Sequence, residues 1–242
     1  MSLKFSKVND VLPQQGVKCL IYGDSGVGKT VLCATAPNAI IISCEAGLLS
    51  LKESNLIKIF GKDNPTINYN MPVIEISTID DLVDVLNWAT DPKNHEYFDT
   101  ICIDSLTEIA EVVLNNLKSK VKDPRQAYAE VVTKMDMIVR GFRDIKNKNV
   151  VMLAKIEVSK DEVTGVMHQR PQMPGRTLGG SLPYYFDMVF KLGVQNQPGQ
   201  PPVRFLQTER DFQSTAKDRS GTLNSIEEAN LTNIFNKIKL GA

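Results

Sequence analysis

The sequence has few residues of the kinds that build metal centres and extracellular frameworks. Its 242 residues include four cysteines and two histidines. The cysteines lie in apolar segments and form no Cys-x-x-Cys pair, which favours buried, reduced thiols over a disulfide or metal framework. The two histidines, His95 and His168, are far apart in the sequence. A zinc site built by the protein is therefore not expected.

Long apolar runs and a net charge are also absent. No segment approaches the roughly 18 apolar residues that a membrane span requires, and the opening MSLKFSKVNDVLPQQ lacks the continuous apolar core of a secretory signal. We therefore expect a cytoplasmic protein with no membrane partner. Lys+Arg and Asp+Glu number 28 each, so the chain has no global attraction to a polyanion. Any contact with nucleic acid must be local.

Apolar, β-branched segments alternate with longer amphipathic ones. This alternation is typical of an α/β fold in which a mainly parallel β-sheet is flanked by helices. The predicted strands are 17–22, 39–43, 73–76, 100–104 and 150–154. The predicted helices are 29–36, 78–90, 105–120 and 126–147, the second with Thr78 as its N-cap. The length suits one domain, 1–242, with a full core.

The character of the chain changes after residue 154. Residues 156–176 mix glycine, proline and both charges without a sustained period, and we interpret them as a long loop with room for a short hairpin. Strands are predicted at 187–193 and 203–208, followed by a last helix near 225–238. The two strands can pair antiparallel through the Gly/Pro turn between them and extend the sheet at its C-terminal edge.

The stretch GDSGVGKT fits the P-loop pattern G-x-x-x-x-G-K-[ST] and stands between a predicted strand and a predicted helix. Its glycines let the backbone wrap closely around phosphate oxygens, and the helix start adds partial positive charge. Lys29 should reach the terminal phosphates of a nucleotide. The expected nucleotide contacts are Gly23, Asp24, Ser25, Gly26, Val27, Gly28, Lys29, Thr30 and Val31.

A magnesium ion would need an acidic residue beside the P-loop. Thr30 should offer its hydroxyl to Mg²⁺, and Asp104, which ends the strand TICID, is the best candidate for the carboxylate. The alternative is that Asp104 caps the helix that begins near Ser105. The two roles are compatible.

Hydrolysis also needs a water molecule positioned for attack. Glu45 ends the strand that follows the P-loop helix, and a parallel sheet would place it at the same edge as Gly23. We therefore expect Glu45 to act as the base. The alternative is a solvated residue at the start of a helix over 46–54.

The order GDSGVGKT, ISCE and TICIDS resembles the RecA-like branch of P-loop ATPases. RTLGGSLPYYFDMVFKLGV resembles a segment of the RecA and RadA recombinases, and AKDRSG at 216–221 is similar to the Lys-x-Arg-x-Gly element of DnaB-type helicases, KaiC and bacterial RadA. More narrowly, the sequence looks like the phage-encoded nucleotide-binding proteins that include RecA-like single-strand annealing recombinases. One departure is Ser43, where that family often has Asp.

The resemblance implies a RecA-like ATPase that uses ATP and Mg²⁺ and works in the cytoplasm of a bacterial host. It implies that Lys217 and Arg219 project into the nucleotide of a neighbouring subunit in a homo-oligomer, ring or filament, and stabilise charge on the γ-phosphate. A solvated charged turn is the alternative for this pair. Lys155 occupies the place of the γ-phosphate sensor, or else is a surface lysine.

The 156–176 segment matches the position at which recombinases place a DNA-contacting loop. Candidate contacts to single-stranded DNA are Lys160, His168, Arg170 and Arg176, although nearby acidic residues nearly cancel these charges and the segment has no aromatic for base stacking. Two functions follow. One is a DNA-dependent ATPase of recombination or replication, with a single-stranded DNA-binding or replication protein as a further partner. The other is a nucleotide-dependent loader or assembly switch that binds protein instead of DNA.

Overall fold

The computed structural model describes residues 5, 7, 16–45, 47–196, 198, 199 and 201–241, without the side chain of Arg176. Its strands form a ten-stranded sheet. They are β1 (Lys18–Gly23), β2 (Ala39–Ser43), β3 (Val73–Glu75), β4 (Thr100–Asp104), β5 (Asn149–Lys160), β6 (Met167–Pro171), β7 (Met188–Gln195), β8 (Val203–Gln207), β9 (Lys217–Asp218) and β10 (Ile226–Glu228).

The sheet has the order β10-β8-β7-β1-β5-β4-β2-β3, with β6 paired to β5 and β9 paired to β7. The strands from β7 to β3 in this order are parallel. β8, β9 and β10 add antiparallel pairs at the C-terminal edge, and β6 adds another beyond the end of β1. The predicted α/β fold class is therefore confirmed, including the antiparallel edge.

Seven α-helices lie within the described ranges. They are α1 (Lys29–Cys33), α2 (Glu53–Phe60), α3 (Ile79–Thr90), α4 (Leu106–Lys118), α5 (Pro124–Arg143), α6 (Arg176–Ser181) and α7 (Leu231–Leu240). The side chain of Thr78 accepts a hydrogen bond from the Asp81 N–H, and the Asp81 carboxylate accepts one from the Thr78 N–H. The predicted N-cap of α3 is therefore a full capping box. None of the helices in these ranges is long and apolar enough to cross a membrane.

Alternate residues of β1 belong to two cores on opposite faces of the sheet. Leu20 and Tyr22 pack with α3, α4 and α5, whereas Cys19 and Ile21 pack with α1 and α7. The P-loop helix therefore lies on the face opposite to the three long helices. All four cysteines are unpaired, and three of them are buried, in agreement with the expected free thiols.

Three segments differ from the sequence prediction. β5 continues to Lys160 and returns as β6, so the predicted loop 156–176 is mainly a β-hairpin whose turn is held by Asp161, which accepts from the N–H groups of Val163 and Thr164. The predicted helix 225–238 begins late, because residues 226–228 pair with β8 and Asn230 caps the helix that follows. The predicted helix 46–54 is a 3₁₀ turn at Leu48–Leu51 followed by α2.

Candidate nucleotide site

The P-loop joins the end of β1 to the start of α1. Gly26 and Gly28 have φ angles of 74° and 103°, in the left-handed region that glycine adopts without strain. These angles turn the chain back over the helix start, where the N–H groups of the first turn have no partner inside the helix. Two glycines of the predicted phosphate cradle therefore have backbone angles that favour glycine.

The Lys29 ammonium lies across this loop. It donates to the carbonyls of Gly23 at 2.9 Å and Asp24 at 2.8 Å. Burial lowers the pKa of Lys29, and the carboxylates of Asp104 and Glu45 oppose that shift. A partly buried cation therefore faces two acidic groups at the mouth of the loop.

Thr30, in the first turn of α1, meets Asp104 at the carboxyl end of β4. The Thr30 hydroxyl donates to Asp104 Oδ2 at 2.5 Å. Asp104 is 5% exposed, and burial raises the pKa of its carboxyl, against the lowering effect of the Thr30 hydrogen bond. Ser105, not Asp104, is the N-cap of α4, since its hydroxyl accepts from the Glu108 N–H. The alternative role of Asp104 as a helix cap is therefore wrong.

The Thr30 hydroxyl and the Asp104 carboxylate fit Mg²⁺ better than a metal ion that protein ligands alone would hold. Within the described ranges, no group of three or more His, Cys, Asp or Glu side chains could hold a metal ion. Mg²⁺ in nucleotide sites takes one or two protein ligands and completes its octahedron with phosphates and water. A hydroxyl and a carboxylate beside a phosphate cradle are that set.

Glu45 lies at the tip of β2 and contacts the tip of β4. Its Oε1 accepts a hydrogen bond from the Ser105 hydroxyl at 2.8 Å, and its carbonyl accepts one from Ser43 at 2.7 Å. The carboxylate is thus held by a neighbour of Asp104 and lines the same cavity as the P-loop. The structure brings the predicted base and the predicted metal ligand together.

Lys155 lies within β5, in register with Gly23. Its ammonium bonds to Glu108 at 2.7 Å and Glu111 at 3.4 Å, and the first of these contacts raises the pKa of Lys155. Lys155 also lines the cavity at the P-loop. The predicted sensor position is therefore in the site, with its cation held by two carboxylates that the sequence did not identify.

The cavity at the P-loop has a volume of about 580 Å³. Of the predicted nucleotide contacts, all but Val27 line it. It is also lined by Ser50, Asn55, Ile59, Ile156, Gln172 and Arg204. No motif marks these residues. They reach the site from distant parts of the sequence, and only the sheet order brings them there.

Lys217 and Arg219 lie away from this cavity. Lys217 donates to the Pro183 carbonyl at 2.8 Å, and Arg219 pairs with Asp187 at 3.0 Å. Neither residue lines the P-loop cavity, whereas Lys217 lines a second cavity of about 480 Å³. Burial lowers the pKa of Lys217 and the nearby Arg219 lowers it further.

The predicted DNA contacts lie mainly on the β5–β6 hairpin. Lys160 is exposed, whereas Arg170 forms a two-bonded ion pair with Glu157 at 3.0 Å and 3.1 Å. His168 lines the second cavity. Arg176 begins α6, and its side chain lies outside the described part of the chain.

The hairpin is attached to β1 and to the segment that leads to Lys217. The Tyr22 hydroxyl donates to the carbonyls of Thr215 at 2.8 Å and Gln169 at 3.2 Å. The Thr215 N–H donates to the Gln169 carbonyl at 3.0 Å. Burial raises the pKa of Tyr22 well above its usual value, so the phenol stays a donor at neutral pH.

A P-loop at the end of a central parallel strand, with a hydroxyl–carboxylate pair and a second carboxylate at adjacent tips, defines a nucleotide-binding domain of the P-loop ATPase class. A family model described as an AAA domain matches residues 15–220, so the chain belongs to the AAA domain family. Comparison with curated proteins gives no match.

The solved structures that are similar to this chain include a KaiC-like protein and a recombinase. A KaiC-like protein from the archaeon Pyrococcus horikoshii OT3 is 14% identical over 79% of this chain and 77% of that chain, with a TM-score of 0.41. The RadB recombinase is 15% identical over 84% of this chain and 87% of that chain, with a TM-score of 0.49.

Proposed function

We propose that this protein hydrolyses ATP to ADP and phosphate with Mg²⁺. The observation that carries the proposal is the convergence of the P-loop, Thr30, Asp104, Glu45 and Lys155 on one cavity. Phosphate transfer depends mainly on positioning and charge stabilisation, and these are the groups that such a reaction needs.

Each residue has a separate role in this proposal. The N–H groups of the loop and Lys29 bind the phosphates, and Thr30 with Asp104 holds Mg²⁺, which neutralises charge on the phosphate oxygens when bound. Glu45 accepts a proton from the attacking water, and the Ser105 hydroxyl fixes the orientation of its carboxylate. Lys155 senses the γ-phosphate.

Glu45→Gln tests the proposed base. We expect ATP binding to stay close to that of the wild type and ATP turnover to be lost, since the amide keeps the shape but cannot accept the proton. Glu96→Gln, at an exposed position, is the matched control and should keep full turnover. Loss of binding together with turnover would contradict the role as base.

We also propose that the protein assembles as a homo-oligomer in which Lys217 and Arg219 of one subunit complete the site of the next. The support is their distance in the fold from the cavity of their own chain: Lys217 lines the second cavity, and Arg219 pairs with Asp187. Mixing Lys29→Ala protein with Arg219→Ala protein is the test. Each alone should be inactive, and partial recovery is expected in the mixture. No recovery would exclude a shared site.

We propose that this assembly binds single-stranded DNA. The second cavity supplies aromatic groups that the hairpin lacks: Tyr184 is 80% exposed and Phe212 is 73% exposed, and Arg210 lines the same cavity. Exposed aromatics next to cations bind unpaired bases by stacking. Together with the sequence resemblance, these aromatic groups support a role in phage recombination or replication. In this proposal the single domain, 1–242, acts in the host cytoplasm with a single-stranded DNA-binding or replication protein as its partner.

The Arg170–Glu157 pair favours the second candidate, a nucleotide-dependent loader or assembly switch. Because this pair neutralises the charge at that point of the hairpin, Arg170 is less available to DNA phosphates. ATP turnover measured at low salt with and without single-stranded DNA separates the two functions. Stimulation supports the DNA-dependent ATPase, and indifference to DNA supports the switch.

A further inference from the structure

Arg204 approaches the P-loop from the antiparallel edge of the sheet. It lies two residues before Leu206, which is buried in the core shared with α1, so both side chains project to the P-loop face. Arg204 Nε donates to the Val27 carbonyl at 2.9 Å. A Cβ added at Gly28 would lie 2.5 Å from the same nitrogen. The arginine therefore packs directly against the middle of the loop.

The rest of this guanidinium is available to a ligand. Among the described residues, no acidic side chain forms an ion pair with Arg204, and only its Nε donates a hydrogen bond. Arg204 is half-buried and lines the same cavity as the P-loop. A partly desolvated cation with a planar face thus borders the nucleotide cavity.

The cavity has two chemically different parts. The P-loop lysine, the Thr30–Asp104 pair and Glu45 supply the charges that a triphosphate and its metal need. The remaining lining, apart from Arg204, includes the uncharged Ser50, Asn55 and Ile59. Asn55 Nδ2 donates to the Ser50 carbonyl at 2.6 Å, so this wall is ordered by its own hydrogen bond. With the triphosphate in the charged part, the nucleoside would occupy the rest of the cavity, which Arg204 also lines.

We propose that Arg204 binds the nucleoside end of the nucleotide, with the guanidinium plane against the face of the base. This inference rests on the proposed ATP site and adds to it a nucleotide-binding residue from β8. Arginine suits the role because its planar, weakly hydrated cation stacks on aromatic rings, which the ammonium of lysine does far less well.

The test compares ligands with and without a nucleoside. ATP, ADP and inorganic tripolyphosphate are titrated into wild-type, Arg204→Ala and Arg204→Lys proteins, with Arg125→Ala, an exposed arginine, as the charge-matched control. We expect ATP and ADP to bind about tenfold more weakly to Arg204→Ala, and nearly as weakly to Arg204→Lys. Tripolyphosphate should bind all four proteins equally, which also shows that the P-loop is intact.

Three results would overturn the proposal. Equal loss of tripolyphosphate and ATP binding would show that Arg204 acts on the phosphates or only supports the loop. Unchanged ATP binding in Arg204→Ala would show that it makes no contact. Full affinity in Arg204→Lys would show that charge suffices without stacking. Failure of the wild-type protein to bind any of the ligands would instead refute the proposed ATP site itself.

Discussion

Substituting Gly28 by alanine tests how closely the P-loop and Arg204 are packed. The added Cβ would meet Arg204 Nε at 2.5 Å and Cδ at 3.1 Å. The arginine would have to move by about 1 Å to restore an ordinary contact. That displacement breaks the 2.9 Å hydrogen bond to Val27, at a cost of about 1 kcal/mol. The positive φ adds about 1 to 3 kcal/mol of backbone strain.

Gly26→Ala supplies the matched control. Gly26 also has a positive φ, but nothing lies within 4 Å of an added Cβ, so this variant has backbone strain without a clash. In urea unfolding we expect Gly28→Ala to lose about 1 kcal/mol more of the free energy of unfolding than Gly26→Ala. In the Gly28→Ala protein, adding Arg204→Ala should remove that excess loss of stability. In the Gly26→Ala protein, adding Arg204→Ala should restore no stability.

Equal destabilisation by the two glycine variants would refute this reasoning, as would an excess that persists without the arginine. A double-mutant cycle gives the coupling free energy directly, because Gly28→Ala introduces the Cβ that clashes and Arg204→Ala removes the group that it meets. A coupling near zero would mean that Arg204 does not pack on the loop in solution.

Three further predictions concern stability and turnover. Thr78→Ala should lower the free energy of unfolding by about 1 kcal/mol in urea titrations, because Asp81 loses its capping partner. Burial lowers the pKa of Lys18 from 10.5 to about 8, so the unfolded chain binds more protons between these pH values and stability rises with pH. Between pH 8 and pH 10, the free energy of unfolding of the wild type should rise by about 2 to 3 kcal/mol relative to that of Lys18→Met, measured by urea unfolding. A difference between the two proteins that does not change with pH would contradict the burial of Lys18. Lys155→Met should change stability by less than about 1 kcal/mol, since its pair with Glu108 is part-exposed, yet should reduce ATP turnover; unchanged turnover would exclude the sensor role.

The strand tips of the candidate site were predictable because their sequence signals are local. Asp104 and Glu45 each end an apolar run, and the parallel order of such runs puts their ends at one edge. The β5–β6 hairpin was only partly predictable. Its residues alternate weakly, Val158 is 49% exposed, and the pairing depends on contacts between the two arms.

Arg204 was beyond sequence reasoning for a different reason. It contacts Val27, which is 177 residues earlier in the chain, and only the sheet order that places β8 beyond β7 brings the two together. The partners of Lys155 were missed for the same reason, since Glu108 and Glu111 lie on a helix packed over the sheet. Long-range pairing of this kind leaves no periodic pattern in the sequence.

The Tyr22 hydroxyl links the P-loop strand to two other parts of the fold. Tyr22 precedes Gly23, and it bonds both to the hairpin at Gln169 and to the segment at Thr215 that leads to Lys217. Any shift of the hairpin or of that segment must either carry β1 with it or weaken this shared hydrogen bond, which is worth about 1 kcal/mol. A ligand that displaces one of these three parts therefore changes the free energy of the other two, and that coupling acts in both directions.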